Sequence, residues 1–563
     1  MKKNTLSLTL LVISFVAAQY AFSQEQAFSK PQSDSIAKAA YQKRIAAQEA
    51  KGISDATETI NAAKANALGS KEIAFYSYPK NELPDFSQLS NLESFSCTRS
   101  TNLNLEKLFE QLSKFPKLKS VSLVSCNIKT LPASIQKLKA IESLNLKDNN
   151  FSTLPESFTE LNNLRHLSLE HCGYLYDEVV WERLAKMNVE SLNFSASVIN
   201  DINEKIGNVT SLRHINFALN DIRTVPASFG KLTALRSLVF AENHQLNLPA
   251  IFQSLALLPS FESLNLNECL LENLPAEIGT PKALKRLYLK GNRIKDLPAT
   301  IGALQNLDTL DIGSLELGSR SNALTSLPVS FGSLKQLKYL NLFGNQLTAL
   351  PVGFSNLSQL EYLNLSLNKF TAIPVDVFAI KSLKTLHFAN NEIGVLPVEI
   401  GNLTNLQELY LDGNFFNTAD KKIKTLPNSL CDLSALKTLS LRDNVIETLP
   451  ENINKLSNLN RLDLRNNLFQ SLPQNITQLK NLEVLNLKAN EIQELPKGME
   501  QLTALADLDV CMNYKTNLPL LLEQVKLIKQ LKFLDISYNK ATPTQVEDLK
   551  AALPNTKVVA LGK

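Results

Sequence analysis

Residues 360–374 read LEYLNLSLNKFTAIP, and close variants of that line stand at 337–351 (LKYLNLFGNQLTALP) and 383–397 (LKTLHFANNEIGVLP). Their first residues, Leu337, Leu360 and Leu383, are 23 positions apart. A fixed period of this size marks a repeat array, in which one copy cannot bury its apolar side alone. Within the line, L-x-L alternates apolar and variable residues, which predicts a short strand with one buried face. Strands returning every 23 residues must run parallel, because each connection brings the chain back to the same end. The Asn that follows (Asn149, Asn220, Asn243, Asn292, Asn345, Asn368 and onward) falls where the backbone bends inward. A buried carboxamide there can satisfy backbone groups of the neighbouring copy. The Leu-Pro pair (Leu154-Pro155, Leu350-Pro351, Leu449-Pro450) turns the chain to the outer side, since Pro cannot donate within a sheet.

The whole unit is L-x-x-L-x-L-x-x-N/C-x-φ-x-x-L-P-x-x-φ-x-x-L, with φ a large apolar residue. It recurs about twenty times over residues 71–563, from Leu92 to Leu531, with a degenerate strand at Ile73-Ala74-Phe75 ahead of it. This pattern resembles the leucine-rich repeat family. It is nearest the 23-residue L-P-x-x-I class of Ras-group and scaffold-type members, here as a secreted bacterial-type protein. The resemblance implies an α/β solenoid, a curved horseshoe of about 20 rungs. A parallel sheet would line its concave side, with short turns or helices on the convex side.

Such an array grows by stacking, so the length of 563 residues is no guide to domain number. The formal charge is +4, from 58 basic and 54 acidic residues, without a block of like charge. Nucleic acid is therefore not an expected partner. Residues 1–23 have a basic start, an apolar stretch from Leu6 to Ala18 and the small residues Ala21 and Ser23, the marks of a Sec-type signal. No later run reaches ~18 apolar residues, so no membrane span is expected after signal cleavage. The product would be secreted, periplasmic or held at the cell surface. Residues 24–70 are Ala-rich and helical in character, either capping the first rung or extending as a stalk. The array occupies 71–541. Residues 542–563 close it, with a helix from Thr542-Pro543 to about Leu553 and a strand at Lys557–Leu561.

Six cysteines in an exported chain raise the prospect of disulfides. Cys126, Cys172 and Cys269 stand in the Asn slot, however, and Cys97 fills a core Leu position. Cys126 and Cys172 are two rungs apart, about 9–10 Å, beyond bridging range. Cys431 and Cys511 have no place in the repeat, and no C-x-x-C spacing occurs.

Two intervals, 307→337 and 406→436, are 30 residues long. The extra residues lie in GSLELGSRS (313–321) and FNTADKKIK (416–424), at the same edge and four rungs apart. Insertions in such arrays often mark the binding face. Between them the variable strand positions turn aromatic, with Tyr339, Phe343, Tyr362, His387 and Tyr410, and Tyr288 one rung before. Period two points these side chains outward, and an exposed aromatic cluster is typical of an interaction surface. Tyr is also a good strand residue, so tolerance by neighbours accounts for the cluster without a ligand. Arg442, Asp443, Arg461, Asp463 and Arg465 follow, as a mutually paired face or as a polar rim that orients a partner.

Catalytic patterns are missing. His166, His171 and His214 lie near Glu170, but His166 and His214 are two rungs apart, some 9–10 Å. His387 has no Ser or Cys placed as its nucleophile, and neither a phosphate loop nor H-E-x-x-H occurs. The chain is thus expected to be no enzyme and to use no cofactor or metal. The expected role is non-catalytic binding of a protein or peptide through the concave face. Its alternatives are a cell-surface adhesin or carbohydrate binder using the same aromatics, and a structural envelope protein without a discrete ligand.

Overall fold

The computed structural model describes residues 71–78, 81–83, 85–173, 178–314, 321–413 and 422–562. The expected signal at 1–23, the helical segment at 24–70 and the middles of both extra stretches lie outside them. The chain divides into two compact units, one ending at Cys269 and the next beginning at Leu270.

In the first unit nine strands follow one another: β1 (Glu72–Tyr76), β2 (Ser94–Thr98), β3 (Ser120–Val124), β4 (Ser143–Asn145), β5 (His166–Ser168), β6 (Ser191–Asn193), β7 (His214–Asn216), β8 (Ser237–Val239) and β9 (Ser263–Asn265). Each pairs in parallel with the next. The second unit continues with β10 (Arg286–Tyr288), β11 (Thr309–Asp311), β12 (Tyr339–Asn341), β13 (Tyr362–Asn364), β14 (Thr385–His387) and β15 (Glu408–Tyr410). After them come β16 (Thr438–Ser440), β17 (Arg461–Asp463), β18 (Val484–Asn486), β19 (Asp507–Asp509), β20 (Phe533–Asp535) and β21 (Lys557–Val559). These are also parallel, neighbour to neighbour. Both units are α/β solenoids, and the degenerate sequence at 73–75 is indeed the first strand.

The central residue of each three-residue strand from β4 to β20, such as Leu340, Leu363, Leu386 and Leu409, is buried, while its neighbours on either side face away from the core. The residue before the slot Asn takes left-handed backbone (Asp148 φ 58°, Gly344 φ 70°), which bends the chain inward. The Asn then serves two rungs. Asn368 Nδ2 donates to Leu342 O and Leu365 O, both at 3.0 Å, and its Oδ1 accepts from Leu347 N at 3.0 Å. Asn149 does the same for Leu123 O, Leu146 O and Ile128 N. In place of Asn, Cys126, Cys172 and Cys269 donate their thiols to carbonyls of the preceding rung (Cys97, Leu146 and Phe240). All six cysteines are free and buried.

On the opposite side, most Leu-Pro pairs lead into a single 3-10 turn, as at Ala299–Ala303 and Val329–Ser333. Three rungs are 26 residues long, Leu92→Leu118, Leu235→Phe261 and Leu505→Leu531. In each, the extra length turns the connection into an α-helix capped by Asn: α1 (Leu105–Leu112) by Asn104, α3 (Leu248–Leu255) by Asn247, and α5 (Leu518–Lys526) by Asn517. Two further helices, α2 (Glu178–Leu184) and α4 (Val375–Phe378), are shorter. At the end, α6 (Pro543–Ala552) starts from a capping box between Thr542 and Gln545. Strand β21 stops at Val559, two residues short of the expected Leu561, whose N–H is taken by Ser537 Oγ.

Candidate functional site: an aromatic stack on the open face of the sheet

The face of the sheet turned away from the core consists of columns, one residue per rung. Before the buried Leu, the column through β11–β15 reads Thr309, Tyr339, Tyr362, Thr385, Glu408; after it, the column reads Asp311, Asn341, Asn364, His387, Tyr410. Parallel registration brings side chains of successive rungs to one strand spacing, ~4.8 Å, which suits ring stacking. Tyr339 and Tyr362 stack with centroids 4.4 Å apart and planes within 6°. His387 and Tyr410 stack in the second column at 4.3 Å and 2°. A tilted contact of 5.4 Å between Tyr362 and His387 joins the pairs into one row of four rings.

This arrangement corrects the expectation of an exposed cluster in one respect. His387 is only 1% exposed, because the rings of the two adjoining rungs close over it. Its Nδ1 has no hydrogen-bond partner, and burial pushes the imidazole down to about 3, so the ring is neutral. His387 is thus a spacer within the stack and not a contact group. Tyr339, Tyr362 and Tyr410 are half-buried. Burial first, and then the Asp311 carboxylate, raises the Tyr339 phenol; burial, Glu408 and Asp412 raise that of Tyr410. Both remain neutral hydroxyls. Tyr288 is half-buried in the second column of β10, across from Asp311, and stacks on no ring among the described residues. Phe343 is half-buried at the position after Leu342.

The second column also has a structural duty that the repeat pattern did not reveal. Asn145, Asn193, Asn341 and Asn364 each accept from the N–H two residues on, tying down the bend. At β14, where His387 replaces Asn, the bend N–H of Ala389 is accepted by Ser366 Oγ of the preceding rung at 3.1 Å. At this rung Ser366 takes over the acceptor role that Asn fills elsewhere in the column. No signal in a single repeat copy identifies that exchange.

Two of the arginines beyond the stack are engaged by carboxylates. Arg442 Nε lies 3.0 Å from Asp412 Oδ2, and Arg465 Nη2 lies 2.6 Å from Asp463 Oδ2. In the first unit His166 and His214 stand on β5 and β7 with Ser191 between them. His171 is bonded to Asp148 at 2.8 Å, and Glu170 is engaged by Lys147. These four residues do not converge.

Comparison with known proteins agrees with this architecture. The family model described as leucine-rich repeat region matches residues 329–428 and 417–558, and that described as leucine rich repeat matches 116–173. The chain belongs to the leucine-rich repeat family. No curated protein matches it. Among solved structures, TLR13 in its complex with ssRNA13 is similar at 22% identity and TM-score 0.59, over 87% of this chain and 73% of that one. Toll from the Toll–Spatzle complex of Drosophila gives 21% and 0.52, over 83% of this chain and 56% of that one. A leucine-rich repeat protein of Leptospira interrogans gives 24% and 0.49, over 88% and 97%. Among the described residues no helix is long and apolar enough to cross a membrane.

Proposed function

We propose that this chain is an exported, non-catalytic recognition protein that binds a protein or peptide on the open face of β10–β16. Tyr339, Tyr362 and Tyr410 form the contact core. The continuous four-ring stack carries this reading, since rings held between rungs offer apolar area and hydroxyls at little entropic cost on binding. The open columns of β11–β15 hold no Lys or Arg, while Asp311 and Glu408 flank the rings; such a surface suits a polypeptide and repels a phosphate backbone. Toll, which shares the fold, is solved with Spatzle bound, so a surface of this architecture is able to hold a protein. A sugar stacks best on free ring faces, and within this row Tyr362 and His387 turn theirs to neighbouring rings, leaving one face each of Tyr339 and Tyr410. Catalysis finds little support at the site, because its one imidazole is shut off from solvent and without an orienting carboxylate. Export rests on the pattern of residues 1–23.

The test is a pull-down from protein extracts with the wild-type chain beside the Tyr339→Ala/Tyr362→Ala/Tyr410→Ala variant, its fold checked by circular dichroism. A partner held by the wild type should bind the variant more weakly by ~2 kcal/mol or more. Equal capture by both proteins would remove the stack from the binding site.

A further inference from the structure

Cys431 and Cys511 are the two cysteines without a place in the repeat. Cys431 is buried in the turn Asn428–Asp432. Cys511 is different. It follows Asp509 by two residues, at the open-face position that Arg442, Arg465 and Lys488 hold on earlier rungs, yet it is only 2% exposed. The slot cysteines each reach a carbonyl, whereas the Cys511 thiol has no hydrogen-bond partner among the described residues. What it faces is a pair of carboxylates. Cys511 Sγ, one oxygen of Asp509 and one of Asp535 all lie within 4.8 Å of one another.

Asp509 and Asp535 stand in register on β19 and β20. One oxygen of each is used by the bend of its own rung: Asp509 Oδ1 accepts from Cys511 N at 3.0 Å and Asp535 Oδ1 from Ser537 N at 2.8 Å. That leaves Oδ2 of each, and neither carboxylate has an ion pair among the described residues. Along this column Lys488, one rung before Cys511, is the nearest cation and draws on Asp509 without forming an ion pair with it, and the Arg465 guanidinium beyond it is engaged by Asp463. Like charges directly opposite on neighbouring strands repel unless a cation comes between them.

We propose that Asp509, Cys511 and Asp535 form a zinc site that ties β19 to β20. A thiolate with two carboxylates suits a borderline-soft divalent ion, and three protein ligands leave a fourth position open for water or a partner's group. Around a tetrahedral ion the ligand atoms would stand about 3.4 Å apart, so no pair needs to close by more than about 1.4 Å. On binding, the Zn–S bond forms as the thiol proton passes to solvent. The site is separate from the aromatic stack and independent of the proposed function. Sequence spacing conceals it, because Asp535 is 24 residues beyond Cys511 and comes beside it only when the rungs stack.

The full chain, stripped with chelator, is titrated with Zn2+ by calorimetry, and with Co2+ as a spectroscopic probe. One equivalent of Zn2+ should bind, and Co2+ should give a near-ultraviolet thiolate charge-transfer band. The band should vanish in Cys511→Ser and persist in Cys431→Ser. Zinc affinity should fall at least about tenfold in both Asp509→Asn and Asp535→Asn, whose amides keep the bend bond. Zinc should also raise the melting temperature of the wild type and of Cys431→Ser, and leave that of Cys511→Ser unchanged. No saturable zinc binding by the wild type would overturn the proposal. So would a cobalt band that survives in Cys511→Ser, or unchanged affinity in both amide variants.

Discussion

Asn368 and His387 show opposite uses of a buried polar side chain. Every hydrogen-bonding group of Asn368 meets backbone from its own or the preceding rung, so its loss leaves the buried Leu347 N–H without a partner and strips one of two donors from Leu342 O and Leu365 O, which keep Asn345 and Asn391. Asn368→Ala should cost about 2–4 kcal/mol in urea denaturation. Asn368→Cys should fall between the two, since Cys126 and Cys172 show that a thiol in this slot still reaches a carbonyl. His387 instead is buried with Nδ1 unpaired, and its folded pKa of about 3 lies below the ordinary 6.5. The unfolded chain binds a proton that the folded chain refuses. The stability His387 supplies is therefore complete above pH 6.5 and is lost as pH falls toward 3, by about 1.4 kcal/mol per unit. Subtracting the stability curve of His387→Asn from that of the wild type should isolate this slope. A flat difference would mean that the imidazole is open to water.

At the scale of elements, the outer turns are packed as tightly as the sheet. Gly302 lies in the turn Ala299–Ala303, and a Cβ on it would come within 2.3 Å of Ser330 O on the next turn. Gly279 and Gly332 meet the same crowding, at 2.5 Å from Thr300 O and 2.4 Å from Gly353 O. The obstacle is backbone, which cannot rotate away. Gly302→Ala should destabilise the fold by about 1–3 kcal/mol in the same denaturation assay, despite Ala's better helical propensity. A neutral result would show that adjacent turns slide apart freely. The glycine's role was hidden in the sequence because its neighbour is 28 residues away.

For the whole molecule, stability in a stacked array is a sum over rungs and their interfaces, so damage should stay near its source within a unit. In Asn368→Ala, amide exchange should quicken around β12 and β13, since Leu342, Leu347 and Leu365 just beyond those strands meet that side chain, well before β18–β20 respond. Uniform loss of protection across the second unit would instead mean that its rungs unfold as one. The triple Tyr→Ala variant belongs at this scale too, since its effect depends on three rungs presenting one surface.

Period and strand placement were legible in a single chain, because backbone hydrogen bonding and burial constrain every copy alike: L-x-L, the slot Asn and Leu-Pro recur for the same local reasons throughout. So were the slot cysteines and the helix after Thr542. The sequence by itself also marked rungs 288–410 as unusual. Only the tertiary structure decided what those side chains do, since stacking sets residues about 23 positions apart one strand spacing apart. Period two assigned His387 to the open face, and the rings of two other rungs buried it. The same juxtaposition placed Asp535 against Asp509 and Cys511. Local pattern determines which way a side chain starts out; what it meets there depends on the rungs on either side.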